Sequence, residues 1–281
     1  MLQETHSSIK DSKNWKNDWK GDIFQNHGTS NSRGVLIAFT ENFDNKIIKY
    51  DHDNNGRIQL LAFEHKKKLY LLVNVYNSNV ETEQVNIFKK MDLLLSNFEN
   101  LENYSIIMGG DWNFIINKEL DAYGGNPKLK LNSIAEYTKI KNKFLLCDIF
   151  RIRNPDLKRF SFRQQTPTLA RRLDHFLISN TVQGKIKTCE IISSLLSDHS
   201  PIDISIKTYC VLFKRGPNYW KFNSSLVMDL VYNNAVKEKI REKKTEYSEL
   251  DNQIKWELIK FDIRSLTMRY SKKNLKKENK F

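Results

Sequence analysis

Up to about residue 208 the chain alternates short apolar runs with turn residues. Residues 34–40 (GVLIAFT), 57–63 (RIQLLAF) and 69–76 (LYLLVNVY) are rich in β-branched, leucine and aromatic side chains and predict strands. Asp53-Asn54-Asn55-Gly56 lies between the first two runs and predicts a hairpin turn. Over residues 83–98 (EQVNIFKKMDLLLSNF) the period changes: Val85, Phe88, Met91, Leu94 and Leu95 recur at helical spacing, with Thr82 as the expected N-cap. A buried strand is expected over 104–108 and a second helix over 133–145. Further strands are expected over 159–163, 172–178, 186–192 and 202–207. Many strands with few helices between them predict two packed sheets with helices outside.

After Pro217 the texture changes. Residues 225–277 hold no Gly or Pro and are rich in Lys, Glu and Leu, which predicts one or two long helices with a break near Ser248. We therefore expect one domain over residues 1–208 and a linker with a basic helical extension over 209–281. Charge sharpens this division. The net charge is +13, and from Lys207 onward 18 Lys/Arg face 9 Asp/Glu, against 28 and 24 before it. The excess, including Lys272, Lys273, Lys276 and Lys277, is either a solvated helix face or a contact for a polyanion such as nucleic acid.

Composition excludes several classes. Apolar residues make up 40% and aromatics 11%, enough for a large core. No window approaches 18 apolar residues, so no membrane partner is expected. The start lacks the charged-then-apolar pattern of a secretory signal. Cys147, Cys189 and Cys210 are scattered and odd in number, as expected of small buried hydrophobes in a reducing compartment, nuclear or cytoplasmic.

Four stretches hold candidate chemistry. In Gly109-Gly110-Asp111-Trp112-Asn113 an apolar strand ends in two glycines that permit close backbone approach. Asp111 can orient a water or hold a metal and Asn113 can donate to a phosphate oxygen; the alternative is an ordinary Asx turn. In Ser197-Asp198-His199-Ser200-Pro201 the His can contact a phosphate and a carboxylate can tune it; the alternative is a polar turn before a strand. In the run 172–178 (RLDHFLI), period-2 alternation puts Asp174 on the face of Arg172 and Phe176. That buried carboxylate needs a partner, either an Arg or a catalytic His. Finally, Glu4 stands in MLQETH, two residues after the initiator. With carboxylates, Asn and His and few thiols, a hard cation suits this set better than zinc.

Taken in order, QE, Tyr76, GGDWN, RLD and SDHSP resemble the endonuclease/exonuclease/phosphatase superfamily, and within it the endonuclease domain of LINE-type (non-LTR) retrotransposons. Residues 28–35 (GTSNSRGV), 73–79 (VNVYNSN) and 160–164 (FSFRQ) resemble segments of that branch, and 215–223 (RGPNYWKFN) resembles its linker toward a reverse transcriptase. The resemblance implies a four-layer α/β sandwich, a divalent metal (usually Mg²⁺, with Mn²⁺ as the alternative), no small-molecule cofactor, and DNA as the partner, nicked on one strand. It implies that Glu4 and Asp198 belong to the metal site and that Asp111 orients or deprotonates the attacking water. It also implies that Asn113 and Tyr76 contact phosphate, that His199 contacts the scissile phosphate with Asp174 paired to it, and that Ser161 lies near the substrate.

The pattern departs from the family at both ends. The family places a strand bearing an Asn, then a helix, before the QE motif, so the chain is expected to start in mid-fold, with exposed strand edges and a weakened metal site. No YxDD-type polymerase box follows the linker, so no reverse transcriptase activity is expected. Two readings therefore stand: a metal-dependent DNA endonuclease, and a non-catalytic truncated retroelement relic that at most binds nucleic acid. A third, an abasic-site endonuclease or a phosphoesterase, is disfavoured by the 28–35 and 215–223 stretches.

Overall fold

The computed structural model describes residues 1–194, 197–208, 222 and 224–278, with side chains as far as Ser271. Two compact units emerge, Met1–Cys210 and Val211–Phe281. The linker-like stretch 215–223 falls almost wholly outside the described residues, as do Cys210 and the side chains of Lys272, Lys273, Lys276 and Lys277.

In chain order the first unit begins with β1 (Leu2–Gln3), α1 (Ser12–Asp18), β2 (Ile23–Asn26), β3 (Val35–Ala38), β4 (Lys46–His52), β5 (Ile58–His65) and β6 (Lys68–Tyr76). Then follow α2 (Glu81–Ser96), β7 (Ser105–Asp111), α3 (Lys118–Asp121), β8 (Ala122–Tyr123), α4 (Leu131–Lys143), β9 (Leu146–Asp148) and α5 (Ile149–Arg153). The unit ends with β10 (Phe162–Gln164), β11 (Leu169–Arg171), β12 (Asp174–Ser179), α6 (Asn180–Gln183), β13 (Ile186–Ile191) and β14 (Ile202–Ile206). The second unit holds α7 (Leu230–Glu246) and α8 (Asn252–Glu278). These two pack together, with the Tyr232 hydroxyl 2.7 Å from Thr267 Oγ1. No helix among the described residues is long and apolar enough to cross a membrane.

A six-stranded sheet in the order β4-β5-β6-β7-β12-β9 forms the centre. Its inner strands are apolar on both faces, because alternate residues serve two cores. Ile58, Leu60 and Ala62 of β5 and Leu71, Val73 and Val75 of β6 meet Phe88, Met91 and Leu95 of α2 and Tyr137 and Ile140 of α4. Leu61, Phe63 and Tyr70 point the other way, toward Ile37 of β3 and Ile186, Cys189 and Ile191 of β13. The smaller sheets β1-β3-β2 and β13-β14 cover that second face. The result is a sandwich of packed sheets with helices outside, the mixed α/β class that the sequence predicts.

The differences from expectation have local causes. The 53–56 turn does form a hairpin, but the strand it joins to β5 is β4, which the sequence reading left without an element. A register shift between Ile47 and Lys49 breaks the period-2 signal on this edge strand. Helix α2 starts at Glu81 with Val80 at the cap position, so Thr82 lies inside the helix and is not its N-cap. Ser78 organises that start by donating to Glu83 at 2.6 Å and accepting from Val80 N at 3.1 Å. Cys147 is half-buried and Cys189 buried, both as free thiols.

Among the described residues β1 pairs only with β3 and β14 only with β13. Leu2 and Gln3 of β1 and Ser200–Ile202 at the start of β14 line one cavity of about 320 Å³, floored by Gly109, Gly110 and Phe176.

Candidate active site

Strand register brings the candidate residues together. β6 and β7 run parallel with Tyr76 opposite Asp111, and β12 runs antiparallel to β7 with Asp174 opposite Asp111. Three side chains far apart in sequence therefore sit side by side on one sheet end. The two glycines make this possible. A Cβ on Gly110, at φ +146°, would lie 1.9 Å from the Val75 carbonyl oxygen, and one on Gly109 would run into the Phe176 ring. Trp112 is a core anchor for this turn: fully buried, it stacks on His175 at 5.1 Å and donates from Nε1 to the His175 carbonyl at 3.0 Å.

Asp111 is buried and is held by Asn113, whose backbone N–H donates to Oδ1 at 2.9 Å and whose Nδ2 donates to Oδ2 at 2.8 Å. The same amide also donates to the Asn77 carbonyl at 3.0 Å. Asn113 adopts φ +54°, a conformation Asn tolerates better than most residues. Its amide donors are thus turned onto Asp111 and the backbone, an arrangement that orients the carboxylate.

His199 Nδ1 lies 2.8 Å from Asp174 Oδ2. Of the two partners considered for Asp174, the His is the one in contact; Arg172 instead binds Asp121 and Asp148. Ser161 locks this pair in place. Its Oγ accepts from the Leu173 and Asp174 N–H groups at 3.0 and 2.9 Å, while its carbonyl accepts from Ser200 N at 2.6 Å. Ser161 is buried, and its oxygens tie the Asp174 strand to the His199 loop.

Glu4 accepts a short hydrogen bond from the Tyr76 hydroxyl, so that phenol is turned onto a carboxylate. Gln3 beside it donates to Asn74 Oδ1 at 2.6 Å, and Asn74 Nδ2 returns bonds to the Leu2 and Leu36 carbonyls. Asn74 is a residue the sequence reading passed over. A buried Asn inside the apolar run LYLLVNVY was the available signal. Lys130 was also passed over; its Nζ donates to the Asn113 and Asn79 carbonyls at 2.8 and 2.9 Å.

Gln3, Glu4, Asp111, Asp174, Ser197, Asp198 and His199 line a cavity of about 130 Å³. Ligand atoms of Asp111, Asp174 and His199 lie within 4.8 Å of one another. Glu4 and Asp198 share the cavity but stand outside that tight cluster; Asp198 is exposed and accepts from Ser197 Oγ at 3.3 Å. Carboxylate oxygens with one imidazole and no thiol make a donor set suited to a hard divalent cation.

The electrostatics agree. Burial, then the negative charge of Asp174, pushes the Asp111 carboxyl up to about 8, against the pull of His199. For His199 burial works against the cation, but the hydrogen bond and charge of Asp174, with Asp111 and Asp198 behind, outweigh it and lift it to about 9. Crowded carboxylates that resist ionising are relieved by a cation. Both shifts are upward, so the metal-free native state binds more protons than the unfolded chain. The favourable His199 contribution is complete below 6.5 and is lost as pH rises through about 9, while the Asp111 penalty grows from 3.8 to about 8. The melting temperature in EDTA is therefore expected to fall as pH rises from 6.5 to 9, and Asp174→Asn to flatten that slope. A slope unchanged by Asp174→Asn in a thermal melt series would contradict the assignment.

No family model matches the chain. It is 27% identical over 278 residues to the transposon TX1 uncharacterized 149 kDa protein of Xenopus laevis, a match covering 97% of this chain and 20% of that protein. The chain thus spans about a fifth of the length of that relative. Among solved structures it is similar to the 3′ phosphatase NExo from Neisseria bound to product DNA hairpin, with TM-score 0.58, 14% identity, and 74% of this chain and 88% of that one covered. The AP endonuclease LMAP from Leishmania major gives TM-score 0.58, 16% identity and coverage of 74% and 78%. An AP endonuclease from Archaeoglobus fulgidus gives 0.60, 14%, and coverage of 73% and 87%. At such identities these similarities establish a shared fold.

Proposed function

We propose that the chain is a domain of the endonuclease/exonuclease/phosphatase superfamily, of LINE type, and that it acts as a divalent-metal-dependent endonuclease that nicks one strand of DNA. The observation that carries the reading is the in-register convergence of Tyr76, Asp111 and Asp174, with His199 bound to Asp174. Glu4 and Asp198, with Asp111 beside them, are the residues that would hold Mg²⁺ or Mn²⁺, which would supply Lewis-acid stabilisation of the phosphoryl oxygens. Asp111, fixed by Asn113, takes the proton of the attacking water. His199, held protonated by Asp174, meets the negative charge that builds on the scissile phosphate. Tyr76 donates its hydroxyl to Glu4 and so positions that carboxylate. Direct attack by water is the simple route, since the cavity holds no thiol, and its serine, Ser197, spends its hydroxyl on Asp198.

The abasic-site and 3′-phosphatase activities named for the structural neighbours form the second reading, favoured by their shared fold. Plain duplex, abasic duplex and a soluble phosphomonoester separate the two, with plain duplex expected to be cut best. The direct test is nicking of supercoiled plasmid by residues 1–281 with Mg²⁺, against EDTA and an Asp198→Ala, His199→Ala double variant. Metal-dependent nicking lost in the variant supports the reading.

Folded 1–281 that does not nick with Mg²⁺ or Mn²⁺ would leave the non-catalytic reading standing.

A further inference from the structure

Arg57 lies outside the cavity and outside every motif read from the sequence, yet it touches both arms of the site. It follows the 53–56 turn, and its backbone is pinned there: its N–H donates to Asp53 Oδ1 at 2.9 Å and its carbonyl accepts from Tyr76 N at 2.8 Å. From that anchor the side chain, 16% exposed, runs along the sheet end. The guanidinium lies over the Tyr76 ring, 4.9 Å from its centroid. Nη1 donates to the Asn77 carbonyl at 3.1 Å, the same oxygen that accepts from Asn113 Nδ2. Glu83 stands 3.9 Å from Nη2.

One planar cation thus braces two chains of contact. Through the ring it fixes Tyr76, whose hydroxyl binds Glu4. Through the shared carbonyl it fixes the acceptor that holds Asn113, and Asn113 orients Asp111. We propose that Arg57 is a positioning residue that couples the Tyr76–Glu4 and Asn113–Asp111 halves of the site. The inference rests on the reading of that site as a metal-dependent nuclease centre. The role needs the fork as well as the charge, because the contact with the ring and the bond to the Asn77 carbonyl are made together by one rigid guanidinium. Lysine offers charge on a flexible stem and cannot do both.

The test compares wild type, Arg57→Met and Arg57→Lys by Mn²⁺ binding followed with EPR, by kcat and KM for nicking, and by melting temperature. Outer partners of metal ligands are worth about 10- to 100-fold in affinity or activity. Both variants are expected to bind Mn²⁺ more weakly and to lose kcat within that range, with KM for DNA unchanged. Arg57→Lys keeps the charge and the stem, so it serves where Arg57→Met folds poorly. Recovery of wild-type behaviour by Lys would overturn the inference, because a mere charge would then suffice. So would a rise in KM alone, which would make Arg57 a DNA contact, or a kcat loss matched by the loss of folded protein. A wild type that binds no Mn²⁺ overturns the reading of the site, and the inference with it. Wild-type binding that is unchanged in both variants overturns the inference alone.

Discussion

Asp174→Asn is expected to slow nicking about 10³-fold with little change in KM, the middle of the range for losing a positioned acid–base group. The substitution keeps the shape and the bonds to Ser161, whose oxygen is held by backbone N–H groups. What it removes is the negative charge facing His199 Nδ1. His199 then loses the hydrogen bond and charge that outweigh its burial, so less imidazolium is present at neutral pH. Asp111 simultaneously loses a repelling neighbour, so its carboxyl ionises more readily. Stability of the metal-free protein near neutral pH is expected to fall modestly, because the attraction between Asp174 and protonated His199 is lost while Asp111 is mostly neutral there. His199→Ala should cost a similar factor. The double variant should fall no lower than the worse single one, because the two residues act as a unit. Single-turnover nicking with thermal melts on the four proteins checks this. Penalties that multiply, or a loss below 10-fold for Asp174→Asn, would mean that the pair is structural.

The parts legible in the sequence are those with local signals. The apolar runs of β5 and β6 and the helical period of α2 announced the central sheet and its cover. GGDWN and SDHSP announced the two sides of the cavity because each puts several polar groups within five residues. What stayed illegible was pairing between distant positions. Nothing in the sequence ties Arg57 to Tyr76 or Arg172 to Asp121, 51 residues away. Ser161 shows the limit from the other side. Its place beside the site was legible, but only the fold reveals that its oxygen accepts from the Leu173 and Asp174 N–H groups. The β4 strand was lost for a simpler reason: its bulge and exposed edge erase the alternation by which strands are read.

Arg172→Met carries the largest expected loss of stability. Arg172 is 1% exposed, with Nε on Asp121 at 2.7 Å and Nη2 on Asp148 at 2.8 Å. Both carboxyls are held below their usual range: burial opposes this, but the Arg172 charge and hydrogen bonds, joined at Asp148 by His175, prevail. Met fills much of the volume and supplies no charge, so two buried carboxylates lose their shared partner. Arg151 still reaches Asp121 at 2.7 Å, whereas Asp148 keeps only the Arg151 N–H at 3.2 Å. Breaking such a buried pair costs about 3–5 kcal/mol. In a domain of this size that lowers the melting temperature by about 10 °C. The sign with pH follows from the depressed carboxyls. Their contribution is present above about pH 4 and disappears as pH falls through their lower native values, so the difference between Arg172→Met and wild type should shrink in acid. Urea unfolding at neutral and acid pH measures both. The cluster also bears on catalysis, because Asp148 lies beside Leu177 across the β9–β12 pair and Arg172 precedes Asp174 by two residues. A variant still folded at low temperature should therefore nick more slowly than its folded fraction predicts. A loss under about 1 kcal/mol would show that the buried ions contribute no more than an exposed pair does, and that β12 is held by its strand neighbours alone.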